Sequence, residues 1–373
     1  MHKTETRDVI TSTKEPRCFF EKQLVREEPL SFEMAERLCG LANEFSALHP
    51  WEILGDQDLI LMEDPQSQQI CYCSIMGALC EVFSLHVYVG AESYRLYRKI
   101  AAGKSMTAGD FFASQRGVFV EFVKSRELTP PDREVLRAFN YPTKRDGFAP
   151  IFRALRPGYH PWYATEHEGR LLARCMQAVI AFFSTMSVGG SSGYWDRADV
   201  YPFLVPTDEI QADYKIKMVK APEPPIAPPQ VPEMDETLLT KARERNFPVA
   251  GALEVDHFFG AGMIGGKHER KACFRTGLAT DARSGFVFQP ELGSPQDSTG
   301  EILLRVVLNA VLSGRFIPQE LRVRHQESQV LLEGLARRLG SSVRVVKKLP
   351  ALDHAKNHLL SMMGDAGVFM PGK

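Results

Sequence analysis

The chain has 373 residues, too many for one ordinary hydrophobic core, so two domains is the natural expectation. Its 44% hydrophobic and 24% charged content excludes a disordered or fibrous chain. Net charge is −1: residues 1–220 carry 26 Lys/Arg against 29 Asp/Glu, and residues 221–373 carry 19 against 17, so neither half has the basic surplus that a nucleic-acid partner demands.

Residues 1–28 alternate charges with little periodicity and are expected to form an N-terminal arm. The opening Met1-His2-Lys3-Thr4-Glu5-Thr6-Arg7-Asp8 has no apolar segment of the signal-peptide kind, which makes a cytoplasmic location the expectation. An α+β domain with an antiparallel sheet is then expected over 29–220. Ser31 can cap a helix on which Met34, Leu38, Leu41 and Phe45 share one face. Residues 58–62, 70–77 and 80–90 read as three strands, rich in β-formers and separated by turn residues, hence a meander.

Residues 92–100 read as a helix, 117–123 as a strand, and 131–139 as a short helix with proline in its first turn. Residues 151–162 are expected to be extended, with a break at Pro157-Gly158. Thr165 and Glu168 form a capping box opening a long helix whose apolar face holds Leu171, Leu172, Cys175, Val179, Phe182 and Phe183.

Three places in this half suggest chemistry. Cys71 and Cys73 share one face of a strand and could hold a soft metal. The chain's seven cysteines nevertheless include no C-x-x-C pair, so core packing is the better reading and no metal site is assigned. His160, Glu166, His167 and Glu168 could cluster, but the two glutamates already have capping and helix-dipole roles. The glycine- and serine-rich stretch 187–193 follows a helix and lacks the Gly-Lys-Ser/Thr ending of a phosphate loop, so it reads as a flexible loop.

Six prolines within 222–232 mark a seam, because each removes an amide donor and fixes φ. A proline-rich linker over 221–234, extended and semi-rigid, is the expectation, with ligand or partner taken in the groove between the halves. The second domain, 235–373, reads as α/β with a mixed sheet. A helix is expected over 236–246 and a strand over 249–259. Gly260, Gly262 and Gly265 then spell G-x-G-x-x-G, with Asp281 where a ribose-binding carboxylate would stand. The residues after Gly265 lack a helical apolar period, so the glycines read as a turn and no cofactor is expected.

Residues 272–280 and 285–291 read as two strands of a hairpin turning at 281–285. Helices over 301–313, 327–339 and 352–363 alternate with strands over 321–324 and 343–346, implying a parallel pair. A hairpin followed by βαβ resembles the element order of the ribonuclease H-like fold. Asp281, Glu301, Glu327 and Asp353 are the acids that could act there as catalytic metal ligands. Against this, the end of the strand at Leu321, where that fold's nucleases place a carboxylate, carries His325.

Trp51-Glu52-Ile53-Leu54, Met76-Gly77 with Val87-Tyr88-Val89-Gly90, Pro318-Gln319-Glu320-Leu321-Arg322-Val323, and Leu349-Pro350-Ala351-Leu352-Asp353 resemble two modules of uncharacterised bacterial proteins. Those modules would cover residues 30–210 and 240–365. The resemblance implies a prokaryotic cytosolic protein with no assigned activity, and it transfers no catalytic residue. The expected function is therefore a non-catalytic binding or interaction protein, with an unknown protein or small molecule as partner and neither nucleic acid nor membrane favoured. The alternative is a divergent metal-dependent nuclease or phosphotransferase using the four acids of the second domain.

Overall fold

The computed structural model describes residues 28–104, 111, 114–144, 147–189, 194–208, 213–221, 229, 231–234, 236–266, 269–293 and 297–362. Nearly all of the N-terminal arm and most of the proline run lie outside these residues, as does the end of the glycine-serine stretch. The described end of the linker lies against the second domain. Met234 packs on that domain's core, and Pro232 sits so close to Gly300 that a Cβ there would meet its ring at 2.5 Å.

Ser31 fixes where the first helix begins: its hydroxyl accepts the amide hydrogen of Met34 at the start of α1 (Phe32–Ala47). The chain then enters β1 (Ile60–Glu63), β2 (Ile70–Met76) and β3 (Phe83–Val89), which pair antiparallel as the meander that the β-formers and turns predict. After α2 (Gly90–Ala101), β4 (Gly117–Lys124) and β5 (Phe148–Leu155) extend the sheet. Between them lies α3 (Pro130–Ala138), capped by Thr129. The short β6 (Trp162–Tyr163) closes one edge, and α4 (Glu166–Gly189) follows from the Thr165 capping box.

Period-two alternation decides which layer each strand residue joins. Ile60, Met62, Cys71, Cys73 and Ile75 face α1 and α4 in the main core, whereas Leu59, Leu61, Tyr72 and Tyr88 join Tyr94 and Tyr97 of α2 on the other face. Cys71 and Cys73 are buried beside Cys175 of α4. A hydrogen bond with Cys175, then burial, holds the Cys71 thiol pKa well above its ordinary value, so the group is protonated.

The eight-stranded sheet runs β6-β5-β4-β3-β2-β1-β7-β8. Its last two strands, β7 (Val200–Asp208) and β8 (Asp213–Lys220), are absent from the sequence reading. Pro202 and Pro206 interrupt β7, and β8 is largely exposed along its length, so neither carries a strong apolar signal. All neighbours are antiparallel except β1 and β7, whose parallel pairing joins the final hairpin to the meander.

In the second domain α5 (Glu236–Glu244) precedes β9 (Ala252–Ile264), which pairs antiparallel with β10 (Ala272–Asp281). The strand therefore continues through Gly260 and Gly262, which correct the expected turn: backbone pairing of Gly260 with Phe274 and of Met263 with Cys273 carries the ladder past them. Residues 285–290 also differ from expectation. Only Val287 bridges to Thr280, Phe286 and Val287 stay exposed, and the third strand is the short β11 (Glu291–Gly293).

Helix α6 (Thr299–Gly314), β12 (Glu320–Val323), α7 (Gln326–Leu339), β13 (Ser342–Val345) and α8 (Pro350–Met362) complete a mixed sheet of order β11-β10-β9-β12-β13. Strands β9, β12 and β13 are parallel. Helices α6 and α7 cover one face through Leu303, Val307, Leu332 and Leu335, while Leu352 of α8 meets Phe258 and Leu278 on the other. Among the described residues no helix is long and apolar enough to cross a membrane.

Two glycines test this packing in opposite directions. A Cβ at Gly117 would meet the Val87 carbonyl oxygen at 2.2 Å, whereas one at Gly40 in α1 meets nothing within 4 Å. Gly117→Ala should cost about 2 kcal/mol or more by urea unfolding, and Gly40→Ala should add about 0.5–1 kcal/mol. Equal effects of the two would contradict the pairing of β3 with β4.

Candidate functional site

The four acids singled out in the second domain occupy separate places. Asp281 ends β10 opposite Leu253, and its carboxylate accepts from the Ser284 hydroxyl and the amides of Arg283 and Ser284. Those hydrogen bonds outweigh partial burial and hold its pKa below the usual carboxylate range. Glu301 is the reciprocal member of a capping box with Ser298 at the start of α6. Glu327 is exposed in the first turn of α7. Asp353, in the first turn of α8, pairs with Arg324 just beyond β12.

Strand register separates Asp281 from Asp353. Asp281 lies level with Leu253 at the start of β9, whereas Arg324 and Asp353 gather near Asp256, three residues further along. At a rise of about 3.3 Å per residue that is about 10 Å along the strand. Among the described residues, no three His, Cys, Asp or Glu side chains form a group that could hold a metal ion.

Around Asp256 the structure shows acids that the sequence reading passed over. Glu254 and Asp256 alternate with Leu253 and Val255, a pattern that assigns the acids to solvent, yet both are buried because α8 covers their face. Glu254 accepts the Leu352 amide at 2.9 Å and so caps α8 with a carboxylate placed at its positive end. Asp256 accepts the His257 amide at 2.9 Å and lies 3.5 Å from the Arg324 guanidinium. Since Arg324 also binds Asp353, one cation just past the end of β12 bridges a carboxylate in the first half of β9 and one on α8.

Further cations line this end of the sheet. Arg275 donates to the Asp297 carbonyl and the Thr299 hydroxyl and stacks over Phe259 at 5.0 Å, and Lys356 lies 4.8 Å from the Phe258 ring centre. Burial first, then the neighbouring Arg275, His325 and Lys356, push the His257 pKa down to about 4 against the opposing pull of Asp256. His257 is therefore neutral near pH 7, and the site presents guanidinium rather than open carboxylate oxygens.

The glycine motif leads to a different feature. Among the described residues no helix follows it to receive a pyrophosphate; the β9–β10 hairpin reaches instead into the first domain. Tyr159 bridges to Ala272, the His160 amide donates to the Lys271 carbonyl, and the Cys273 amide donates to the Gly158 carbonyl, both at 2.8 Å. Arg270 is buried there, with its guanidinium 3.3 Å from Glu168 and in reach of the Ala154 and Tyr163 carbonyls. Cys273 packs with Leu96 and Phe111 to add an apolar contact between the halves.

Glu168 thus does more than cap its helix. It accepts from the Thr165 amide and hydroxyl, both at 2.9 Å, and from Arg156 at 2.7 Å, besides meeting Arg270. Burial alone would raise its pKa, but Arg270 and then Arg156 hold it below the usual 4.5. Of the other candidates in the first domain, Glu166 accepts the Ser31 amide at 2.8 Å and pairs with Arg170, His160 lies in the domain joint, and His167 is exposed.

Away from the joint, the first domain has a hollow of about 400 Å³ between the end of α2 and the start of β7. Tyr97, Trp195 and Tyr201 supply aromatic walls, with Arg98, Arg197 and Asp199 at hand, a mixture suited to a small ligand with both flat and polar parts.

Two family models match the chain: residues 36–192 match Domain of unknown function (DUF7309), and residues 239–360 match Domain of unknown function (DUF6930). The chain thus combines two modules of unknown function, as its resemblance to uncharacterised two-module proteins implied. A search of curated proteins finds no match.

Removing Arg270 takes one of two guanidinium partners from a buried carboxylate and loosens the joint. Arg270→Ala should cost about 3 kcal/mol and split the calorimetric unfolding of the full chain into two transitions. Because the folded Glu168 pKa is depressed, the unfolded state binds more protons below pH 4.5, and the joint should weaken as pH falls through the folded value. Glu168→Gln should flatten that dependence. A single, unshifted transition in Arg270→Ala would show that the contact does not couple the halves.

Proposed function

We propose that this chain is a non-catalytic binding protein of the bacterial cytosol, in which two domains joined by a proline-rich sequence are fastened through the Arg270 joint. The observation that carries this reading is the bridge made by Arg324 between Asp256 and Asp353. A guanidinium between two carboxylates occupies one oxygen of each and puts a positive charge where a divalent cation would otherwise sit. The remaining acids are engaged in a turn, in a helix cap or singly at a helix start.

The joint bears on where a ligand would sit. Arg270 and Cys273 fill the contact between the halves, so the hollow beside Tyr97, Trp195 and Tyr201 is the better candidate than a groove at the seam. The first domain is then the ligand-bearing part, and the second holds it in place.

A divergent metal-dependent nuclease or phosphotransferase is the second reading. Two observations favour it: the strand order β11-β10-β9-β12-β13 is compatible with a ribonuclease H-like arrangement, and Asp256 of β9 and Asp353 of α8 both reach Arg324 just past the end of β12. Titration with Mn²⁺, followed by calorimetry and by the spin-resonance signal of free Mn²⁺, separates the two. The binding reading expects no saturable uptake up to about 1 mM, where catalytic divalent sites fill, and no change on Asp353→Asn. Stoichiometric uptake abolished by Asp353→Asn, together with cleavage of a phosphodiester, would replace it with the enzyme.

A further inference from the structure

The face of α3 presents a second hollow, of about 380 Å³, whose lining includes, among the described residues, four cations and no carboxylate. Arg133 and Arg137 stand one helical turn apart on α3, Arg126 comes from the short 3₁₀ turn before it, and Lys144 from the loop after it. Buried Leu128 and Leu136 form an apolar floor. The Ser125 hydroxyl, through bonds to the carbonyls of Lys144 at 2.8 Å and Gly147 at 3.0 Å, ties the two flanking segments together. Arg133 donates to the Arg126 carbonyl at 3.3 Å, which draws its guanidinium toward the same hollow.

Like charges at this spacing on a helix repel by a few tenths of a kcal/mol. The helix dipole accounts for Arg137 in the last turn of α3, but not for the other three cations. Among the described acids, Asp132 and Glu127 do not neutralise the group. Asp132 is turned inward, bound by both guanidinium nitrogens of Arg153 at 2.9 and 2.6 Å, and Glu127 reaches Arg126 only at 3.7 Å across an exposed surface. Several guanidinium forks and an ammonium around a concave apolar floor match an anion with multiple oxygens carried on an organic body.

We propose that this hollow binds a small organic phosphate, with Arg126, Arg133, Arg137 and Lys144 on the phosphoryl oxygens and Leu128 and Leu136 under the organic part. The assignment rests on the binding reading and adds to it a second site in the first domain, with its ligand class, besides the hollow beside Tyr97, Trp195 and Tyr201. Its size suits a metabolite rather than a nucleic-acid backbone, in keeping with the balanced charge of residues 1–220.

Calorimetric titration of the full chain with pyrophosphate and with AMP, at constant ionic strength, tests this. Saturable binding below about 1 mM is expected, with a rise in melting temperature that grows with ligand concentration. Arg133→Gln with Arg137→Gln should weaken it at least about tenfold, as should Lys144→Gln to a lesser degree. Arg322→Gln, in the second domain, should leave it unchanged. Unfolding of the ligand-free variants, measured in parallel, separates lost binding from lost folding. No saturable binding of either probe, or binding that the α3 substitutions leave intact, would overturn the site without touching the Mn²⁺ result. Turnover of a bound probe would instead overturn the non-catalytic reading while leaving the site in place.

Discussion

The carboxylate of Glu168 is the point on which the arrangement of the molecule depends. It terminates the N-terminal end of α4, accepts Arg156 from beyond β5, and receives Arg270 from the other domain. A buried carboxylate with fewer partners would be costly to ionise; with these four contacts its charge is satisfied and its pKa depressed. The same group therefore links local helix formation to long-range assembly. A cap that elsewhere concerns one helix alone here sets where the second domain docks.

In the second domain the corresponding centre is Arg324. It lies where parallel strands end, a position that open α/β sheets commonly use for ligands. Here the space between Asp256 and Asp353 is crossed by a side chain of the protein itself. Glu254, one strand step away, is committed to the N-terminus of α8. The acids of β9 thus hold α8 and β12 against the strand through a helix cap and an ion pair.

Local signals in the sequence were sufficient for most elements. Ser31, Thr165 and the glycine at 340 mark helix ends through hydrogen bonds or backbone conformation that their neighbours alone determine, and the structure places them so. The meander and the parallel β12–β13 pair were legible from strand composition and connection length. Strands β7 and β8 were not, because prolines and a largely exposed edge dilute their pattern. Asp256 was hidden by alternation, which reports two faces of a strand but not what later covers them. Arg270 was hidden more deeply. It sits among Lys267, His268, Glu269 and Lys271, a run that reads as solvated until the first domain is brought against it.

The bridge between Tyr159 and Ala272 also bears on how this protein behaves among copies of itself. A long sheet exposes unpaired amides and carbonyls at its edges, where other chains can add strands. The eight-stranded sheet has β6 at one edge, and the hairpin of the second domain pairs with the chain just before it. At the other edge β8 carries Lys215, Lys217 and Lys220, whose charges oppose strand addition. Docking of the domains thus pairs backbone beside one edge, and the lysines of β8 charge the other.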